Sequence, residues 1–349
     1  MEIQDLHGLA VARVTPAELA DEPWLRTDRR VDVVRLPDPP VALWDELAAR
    51  GFVRKPALLT WVAELGPDED AYLAGLGRIA RQDVRRAQRH AADAGLREVV
   101  EDPVSPETLD RFLALYAERV AGMRFGVPFA LDHREAVLHG PRRFFGVFAY
   151  EPGAYEPGAG PVSGAGPGAL VGGTLVLEAP AVDTVVLRFS AVSERWRRSS
   201  LARHLYLAAL RAGRARGYGR ATLGNEPNLL GHLTRPGLLR FKAGLGFRAV
   251  PSHECGDPHA ADEADLVLRL DALDDPTLIL GYAGRDPVAR GRLAGRLISR
   301  TPVDTAPYAV PFLESVTVRP PALDAPGTDA RDDPEPDDPG PGGRLTARE

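Results

Sequence analysis

The sequence predicts an α/β (α+β) fold in which a mixed sheet is flanked by helices. The clearest signal lies in residues 185–247, where a strand, a helix, a second strand and a second helix follow one another. Short β-branched runs that alternate with segments of helical periodicity are typical of a sheet covered by helices. With 349 residues, of which 44% are hydrophobic, the chain has enough apolar residues for one large domain or two modest ones.

The composition excludes several classes of protein. A net charge of -6 argues against general affinity for nucleic acid, although it allows a local basic groove. The single cysteine, Cys255, excludes an internal disulfide framework and fits a reducing compartment. Its spacing from His253 and His259 matches no standard zinc pattern, so we expect no metal. Without a signal-peptide pattern or an apolar run of about 18 residues, we expect a cytoplasmic protein that does not engage a membrane.

Residues 1–66 form the first predicted segment. Val31 to Leu36 indicates a strand, and Val41 to Ala49 indicates a helix with apolar residues on one side. A second strand is predicted from Leu58 to Leu65, after the pair Gly51-Phe52. The main domain is then predicted to span residues 67–272.

The segment from Pro67 to Gly95 predicts a helix that carries a stripe of arginines. Its narrow apolar side is formed by Ile79, Val84, Ala87 and Ala91. The arginines recur at spacings of three and four and so share one side of the helix: Arg78, Arg81, Arg85 and Arg89. Because like charges in a row repel one another, Arg78, Arg81 and Arg85 are candidates to bind an anionic substrate. The alternative is a solvated helix face neutralised by nearby Asp and Glu.

A helix and a hairpin are predicted in the middle of the chain. Glu107 to Met123 has the pattern of an amphipathic helix. Phe144 to Tyr150 and Ala169 to Leu177 predict two antiparallel strands. Residues 151–168 between them are rich in Gly, Pro and Ala and repeat the motif EPGA, which predicts a mobile hairpin loop.

The end of the chain is predicted to be less regular. Leu266 to Leu270 indicates a closing strand. Residues 273–302 predict two short helices, interrupted by glycines and by Pro287. Residues 303–349 are acidic and rich in proline, which predicts a disordered tail.

The order of elements in residues 185–247, which ends in Gly-Leu-Gly-Phe, resembles the acyl-donor half of the GNAT acyltransferase fold. In that family a strand feeds a turn, usually (Gln/Arg)-x-x-Gly-x-(Gly/Ala), whose N–H groups at a helix start hold the pyrophosphate of acyl-coenzyme A. Here the turn reads RRSSLA, and Ser200 stands at the middle glycine, which narrows the approach of phosphate to the backbone. The resemblance implies that the donor is bound by Val192, Arg197, Arg198, Ser199, Ser200, Leu201, Ala202, Asn225 and Phe241.

A second departure concerns the last helix. Many GNAT enzymes have a tyrosine a few residues before Gly-Phe that protonates the departing thiolate, whereas this chain has Phe241. The pair Phe241-Lys242 is similar to the Phe-Lys pair of the FemAB-like branch. Its Fem-type members move an amino acid from aminoacyl-tRNA to an amine of a peptidoglycan precursor. Other FemAB-like proteins, many in actinobacterial pathways, are described as acetyltransferases.

The resemblance also implies catalytic roles. Lys242 is a candidate to stabilise the oxyanion or the leaving atom, the alternative being an exposed helix lysine. Glu178, at a strand end, and Glu226, in the turn where a GNAT sheet splays open, are candidate general bases. For Glu178 the alternative is a surface carboxylate. The loop with Arg124 and Phe125 borders the acceptor pocket in related families.

We therefore expect a FemAB-like N-acyltransferase that moves an acyl group, most simply acetyl, from acyl-coenzyme A to an amine of a small molecule or peptide. The Phe-Lys pair and the altered turn favour the alternative donor, aminoacyl-tRNA, for which a tRNA acceptor end is the partner. A GNAT fold kept as a non-catalytic binding module is a third hypothesis. Because Fem-type proteins are tandem GNAT units, residues 1–66 are interpreted either as a shortened N-terminal GNAT-like unit or as an extension packed on the main sheet.

Overall fold

The computed structural model describes residues 1–6, 8–123, 127–152, 168–229, 236–257, 260–284 and 291–323. Within these ranges the chain forms mixed sheets flanked by helices, so the predicted fold class is confirmed. The α-helices are α1 (Trp44–Ala49), α2 (Glu69–Gly75), α3 (Arg78–Asp93), α4 (Pro106–Ala121), α5 (Arg134–His139), α6 (Leu201–Ala215) and α7 (Pro236–Ala243). The first strands are β1 (Glu2–Leu6), β2 (Leu9–Arg13), β3 (Val33–Pro37), β4 (Val53–Pro56), β5 (Leu58–Glu64), β6 (Arg97–Glu101), β7 (Phe144–Tyr150) and β8 (Leu170–Ala179). The others are β9 (Thr184–Val192), β10 (Arg220–Pro227), β11 (Arg248–Pro251), β12 (Asp262–Val267), β13 (Thr277–Tyr282), β14 (Leu293–Ile298) and β15 (Leu313–Arg319).

The largest sheet has seven strands in the order β11-β5-β10-β9-β8-β7-β6. Only β9 and β10 run parallel, because α6 connects them across one face of the sheet. This helix lies close to the strands: a Cβ atom on Gly213 would stand 2.9 Å from the side chain of Val185. On the opposite face α4 covers part of the sheet by packing Phe112 with Phe148 and Phe189. Beside α4 this face carries two cavities, and it is called the open face below.

Two strands, β5 and β12, are each inserted between strands that come from the opposite end of the chain. β5, from the N-terminal part of the chain, lies between β10 and β11 in the large sheet. β12, from the C-terminal part, lies between β3 and β4 in a five-stranded sheet of order β1-β2-β3-β12-β4. Residues 1–66 therefore supply strands to both sheets and do not merely lie on the surface of one. Their interpretation as a shortened GNAT-like unit stays a proposal.

Buried charges hold β12 in place. Asp265 on β12 is fully buried and accepts hydrogen bonds from Arg35 of β3 at 2.8 Å, while Lys55 of β4 lies 3.2 Å away. Lys55 also contacts Glu263 at 2.7 Å. Burial opposes ionisation of Asp265, but Lys55 and Arg35 hold its pKa below the usual value. A shift of β12 by one residue would leave these charges buried and unpaired.

The structure corrects the predicted C-terminal region. Residues 273–302 were expected to be helical, but they contain β13 and β14, which form a third sheet with β15 in the order β13-β14-β15. Both strands have six residues and are buried almost throughout, with Arg296 as the charged residue of β14, and such short buried runs have no periodicity that separates strand from helix. The predicted disordered tail also begins too early, because β15 and the buried Tyr308 belong to the folded part. Pro287, the rest of the tail from residue 324, and residues 153–167 of the predicted loop lie outside the described residues.

Two smaller differences concern the arginine helix. The predicted single helix is divided into α2 and α3 at Leu76 and Gly77. Ile79 is 62% exposed and does not belong to the apolar side, which consists of Val84, Ala87 and Ala91. Among the described residues, no helix has both the length and the apolar character needed to cross a membrane.

Candidate active site

The two parallel strands of the large sheet separate near the middle of the molecule. β9 and β10 pair only from Arg220 opposite Thr184 to Thr222 opposite Val186. Beyond Thr222 the register of β10 with β5 shifts, and Gly224 takes a positive φ of 77° that glycine accommodates easily. The C-terminal halves of β9 and β10 therefore stand apart and leave an opening in the sheet. The resemblance to the GNAT fold implies such an opening at the turn that carries Glu226, two residues further along the chain.

The turn that leads from β9 to α6 has the shape of an anion-binding site. Ser200 adopts the left-handed conformation, with φ 64° and ψ 20°, directly before α6 begins at Leu201. Its carbonyl accepts hydrogen bonds from the N–H groups of Arg203 and His204, which closes the first turn of the helix. The N–H groups at the start of α6 have no acceptor within the helix, and the helix dipole adds positive potential there. Arg197 and Arg198 are exposed beside this turn.

Lys242 and Glu226 form a buried ion pair at the edge of the opening. Glu226 follows the bulge in β10, and its Oε2 atom lies 2.5 Å from Lys242 Nζ. Trp61 of β5 donates from its indole N–H to Glu226 Oε1 at 2.7 Å, and its ring centroid is 4.6 Å from Lys242 Nζ. The two charged side chains are only 10% and 13% exposed. Lys242 is therefore not an exposed helix lysine.

Burial changes the chemistry of this lysine. It lowers the pKa of Lys242, and the Glu226 carboxylate partly opposes that shift. A positive charge in a site of low polarity interacts strongly with negative charge that forms close to it. Lys242 thus has the properties of a group that stabilises an oxyanion.

A tyrosine that the sequence does not single out lies beside this pair. Tyr206, in the second turn of α6, packs edge-on against Phe241 with the ring centroids 5.5 Å apart. Burial raises the pKa of Tyr206, and its hydroxyl interacts with Ser190 of β9. Arg203 lies over the Phe241 ring at 5.2 Å, so the first turns of α6 contact α7 directly. The sequence feature that could have identified Tyr206 is a tyrosine located one helical turn after the predicted anion-binding turn.

The chain was compared with known proteins. No family model matches the sequence, and no curated protein matches it. Among solved structures, the chain is similar to FemX, with 15% identity over 76% of this chain and 83% of FemX and a TM-score of 0.43. It is similar to L-PGS from Bacillus licheniformis, with 10% identity, 75% and 79% coverage and a TM-score of 0.38. It is also similar to a tandem GNAT protein from the clavulanic acid biosynthesis pathway, with 16% identity, 71% and 68% coverage and a TM-score of 0.34.

Two cavities lie on the face of the large sheet opposite α6. The larger has a volume of about 350 Å³ and the smaller about 240 Å³, and they join where both are lined by Arg142, Leu177 and Arg188. Asn225 lines the larger cavity, where its side chain accepts a hydrogen bond from Thr60 at 2.6 Å and donates one to Asp257 at 2.5 Å. Asn225 therefore lies on the open face, whereas Glu226 contacts Lys242 of α7.

The structure does not bring Glu178 to this site. It lies opposite Val185 in the register of β8 with β9, at the end of β8 that is remote from the opening. Its carboxylate is 3.3 Å from Arg143 Nε and 3.7 Å from Arg216 Nε, and its side chain is 8% exposed. Glu178 is thus the buried member of an ion cluster near the C-terminal end of α6, in which Arg143 is largely exposed. Of the two candidate carboxylates, only Glu226 contacts Lys242.

The remaining candidates are distributed over the molecule. Val192 packs in the core at the end of β9. The candidate substrate-binding arginines of α3 line neither cavity, and within the described ranges they have no acidic partner: Arg78, Arg81 and Arg85. Arg124 and Phe125 lie outside the described residues. In the part of the chain that the structure describes, no group of three or more His, Cys, Asp or Glu residues is placed to hold a metal ion.

Proposed function

We propose that this protein is an N-acyltransferase that moves an acyl group, most simply acetyl, from acyl-coenzyme A to an amine of a small molecule or peptide. The observation that carries the proposal is the buried Lys242–Glu226 pair at the edge of the opening between β9 and β10. A buried ammonium beside a gap in a sheet contributes little to folding stability, because desolvation offsets most of the attraction. The buried ammonium of Lys242 is well suited to stabilise a negative charge that develops on the substrate during a reaction.

The start of α6 supports a donor with a phosphate-bearing carrier. Free N–H groups, the positive end of the helix dipole and two exposed arginines favour an anion such as pyrophosphate. Contacts of Arg203 and Tyr206 with Phe241 join this helix start to the helix that carries Lys242. A carrier bound at the helix start can therefore extend its thioester towards the opening.

The proposed reaction uses three side chains. The acceptor amine attacks the thioester carbonyl, and the Lys242 ammonium stabilises the oxyanion of the tetrahedral intermediate. Glu226 is the candidate base that accepts the proton lost by the amine, directly or through water. When the carbon–sulfur bond breaks, the neutral hydroxyl of Tyr206 gives a proton to the departing thiolate. An amide bond forms, a thiol leaves, and the proton lost by the amine restores Tyr206.

A second candidate donor is aminoacyl-tRNA, which the Phe241-Lys242 pair favours. In that reaction Phe241 would stack on the adenine of the tRNA end. Phe241 already contacts Tyr206 and Arg203, however, so less of its ring surface is left for a base. For that reason we place acyl-coenzyme A first.

The proposal is tested by calorimetric titration with acetyl-coenzyme A, followed by assays of thiol release with a panel of amines. We expect micromolar binding, and we expect Lys242→Met to lower kcat by more than about tenfold while binding changes little. Removing one partner of a buried pair also lowers stability, so Lys242→Met combined with Glu226→Gln is the matched variant that keeps the site neutral. The double variant should recover stability without recovering activity.

Two results would contradict the proposal. A near-normal kcat for the folded Lys242→Met variant would remove Lys242 from the mechanism. Absence of acetyl-coenzyme A binding to the wild-type protein would exclude the first donor, and assays with aminoacyl-tRNA would then be the next step. Binding without transfer to any amine from either donor would leave the non-catalytic module as the function.

A further inference from the structure

The larger cavity on the open face has a strong bias of charge. Among the residues that the structure describes, its wall includes three arginines but no Asp or Glu, although the chain as a whole has a net charge of -6. Beside the arginines lies an apolar strip formed by Val62, Leu177, Ala179, Val182 and Val186. The other polar residues of this wall are uncharged, and one of them, Asn225, donates a hydrogen bond to Asp257. A concave surface of this kind fits a small molecule that is partly apolar and carries negative charge.

Two of these arginines stand where the cavities join. Arg142 and Arg188 line both cavities, and within the described residues neither forms an ion pair with a carboxylate. Arg220 differs from them, because it lies 3.5 Å from Glu64 and is thus partly neutralised. Two guanidinium groups without acidic partners on one concave wall repel each other unless an anion lies between them.

Arg188 also connects this wall to the opening in the sheet. It is the residue of β9 at which the pairing with β8 shifts, since Leu175 faces Phe189 and Val176 faces Leu187. A Cβ atom on Gly224 would stand 3.8 Å from Arg188 Nη1, so the guanidinium reaches across from β9 to the bulge of β10. A ligand bound by Arg188 therefore lies next to the gap through which the acyl group would arrive.

We infer that the acceptor is an amine that also carries an oxyanion group, and that Arg142 and Arg188 bind this group. That this ligand is the acceptor rests on the proposed acyl transfer. Anion binding by Arg142 and Arg188 does not depend on it. A guanidinium binds carboxylate or phosphate through two parallel hydrogen bonds, and both groups share this chemistry. If the group is a carboxylate, the acceptor is an amino acid or a short peptide. If the group is a phosphate, the acceptor is a phosphorylated amine.

The test compares amines that differ only in this group. Dipeptides with a free C-terminal carboxylate are compared with the same dipeptides as C-terminal amides, and phosphoethanolamine is compared with ethanolamine. With acetyl-coenzyme A as donor, we expect kcat/KM to be at least about tenfold higher for one anionic class than for its neutral counterpart. The class that shows the difference distinguishes carboxylate from phosphate.

The matched variants are Arg142→Gln with Arg188→Gln, and Arg143→Gln as the control. Arg143 is the neighbour of Arg142 in the sequence, but it contacts Glu178 and Asp102 and lines neither cavity. In the double variant the preference for the anionic amine should disappear, while kcat/KM for the neutral amine stays the same. Arg143→Gln should leave the preference intact.

A calorimetric titration of the same amines without coenzyme separates this inference from the proposed function. Anion binding that is lost in the double variant supports the inference even where no acyl transfer is found, and only the proposed function then fails. The inference is overturned where the wild-type protein neither binds nor prefers the anionic amines, or where the double variant binds and prefers them as the wild type does.

Discussion

Tyr206 and Phe241 lie on two different helices and meet beside the opening in the sheet. The resemblance to GNAT enzymes implies a tyrosine at the position of Phe241, and phenylalanine has no proton to give. The ring of Tyr206 packs against that of Phe241, and burial raises the pKa of Tyr206, so the phenol stays protonated near neutral pH. A neutral phenol close to the reacting thioester is a suitable acid for a thiolate that leaves.

We therefore expect Tyr206→Phe to lower kcat for acetyl-coenzyme A by about a hundredfold, the lower end for loss of a general acid. The loss should be much smaller with a thioester of an aromatic thiol, because a thiolate of low basicity leaves without a proton. Steady-state kinetics with both donors measure the difference. Tyr218→Phe, at the end of β10 remote from the opening, is the control. Equal losses with the two donors would show that Tyr206 only packs against Phe241.

Local sequence patterns predict individual site residues but not their partners. Lys242 follows from the resemblance of the Phe241-Lys242 pair to that of FemAB-like proteins, and Glu226 from the turn where the resemblance implies that the sheet opens. Their contact depends on Trp61, which is separated from Glu226 by 165 residues and reaches the site only through the insertion of β5. For the same reason Glu178 was expected at the site: its distance from the opening depends on the register of β8, which no local pattern specifies. All but two of the 43 Lys and Arg residues are arginine, and both lysines, Lys55 and Lys242, are buried in ion pairs.

At the scale of elements, the turn before α6 contains a left-handed residue, a conformation that favours glycine, but the residue is Ser200. Ser200 has φ 64°, and a non-glycine residue in this conformation costs roughly 1 kcal/mol. Its Cβ atom also limits how closely a phosphate can approach the backbone. Serine in place of glycine at position 200 is therefore expected to lower both the stability of the fold and the affinity of the turn for phosphate.

Ser200→Gly should raise the free energy of unfolding by up to about 1 kcal/mol, because relief of strain exceeds the added entropy of the unfolded chain. It should also tighten acetyl-coenzyme A binding severalfold, since phosphate can then reach the N–H groups. Chemical denaturation and calorimetric titration measure the two effects. Ser200→Ala keeps the Cβ atom and removes only the hydroxyl, so it should show neither gain. A glycine variant that binds less tightly would mean that the Ser200 side chain itself contacts the ligand.

The strength of the periodic signal explains which elements the sequence predicts. β9 and α6 are the strand and the helix predicted at the start of residues 185–247, and the apolar residues of α6 recur with the period of a helix. β13 and β14 are short runs buried on both sides, which lack any period and were therefore assigned to the wrong class. The side of α3 that faces the core was partly misjudged, because alanines, rather than Ile79, pack there.

At the scale of the whole molecule, the exchange of strands makes the two ends of the chain depend on each other. β5 supplies Trp61 to the candidate active site and pairs with both β10 and β11. β12 pairs with β3 and β4, and the ion pairs of Asp265 with Arg35 and Lys55 fix its register. No local pattern predicts this exchange, since both strands read as ordinary short strands. It follows that unfolding should be cooperative across residues 1–323.

A chain that begins at residue 67 should therefore fail to fold, because it lacks β5, the strand between β10 and β11, and both partners of β12. We expect this truncated chain to show no cooperative thermal transition and no binding of acetyl-coenzyme A, measured by calorimetry and titration. The control ends at residue 323, which keeps every strand that the structure describes, and should unfold and bind as the full chain does. Coexpression of residues 1–66 as a separate chain should restore part of the transition, because the missing strands are then supplied in trans. If the chain from residue 67 instead folds and binds the donor normally, residues 1–66 are a dispensable extension, and Trp61 has no role in holding Glu226 beside Lys242.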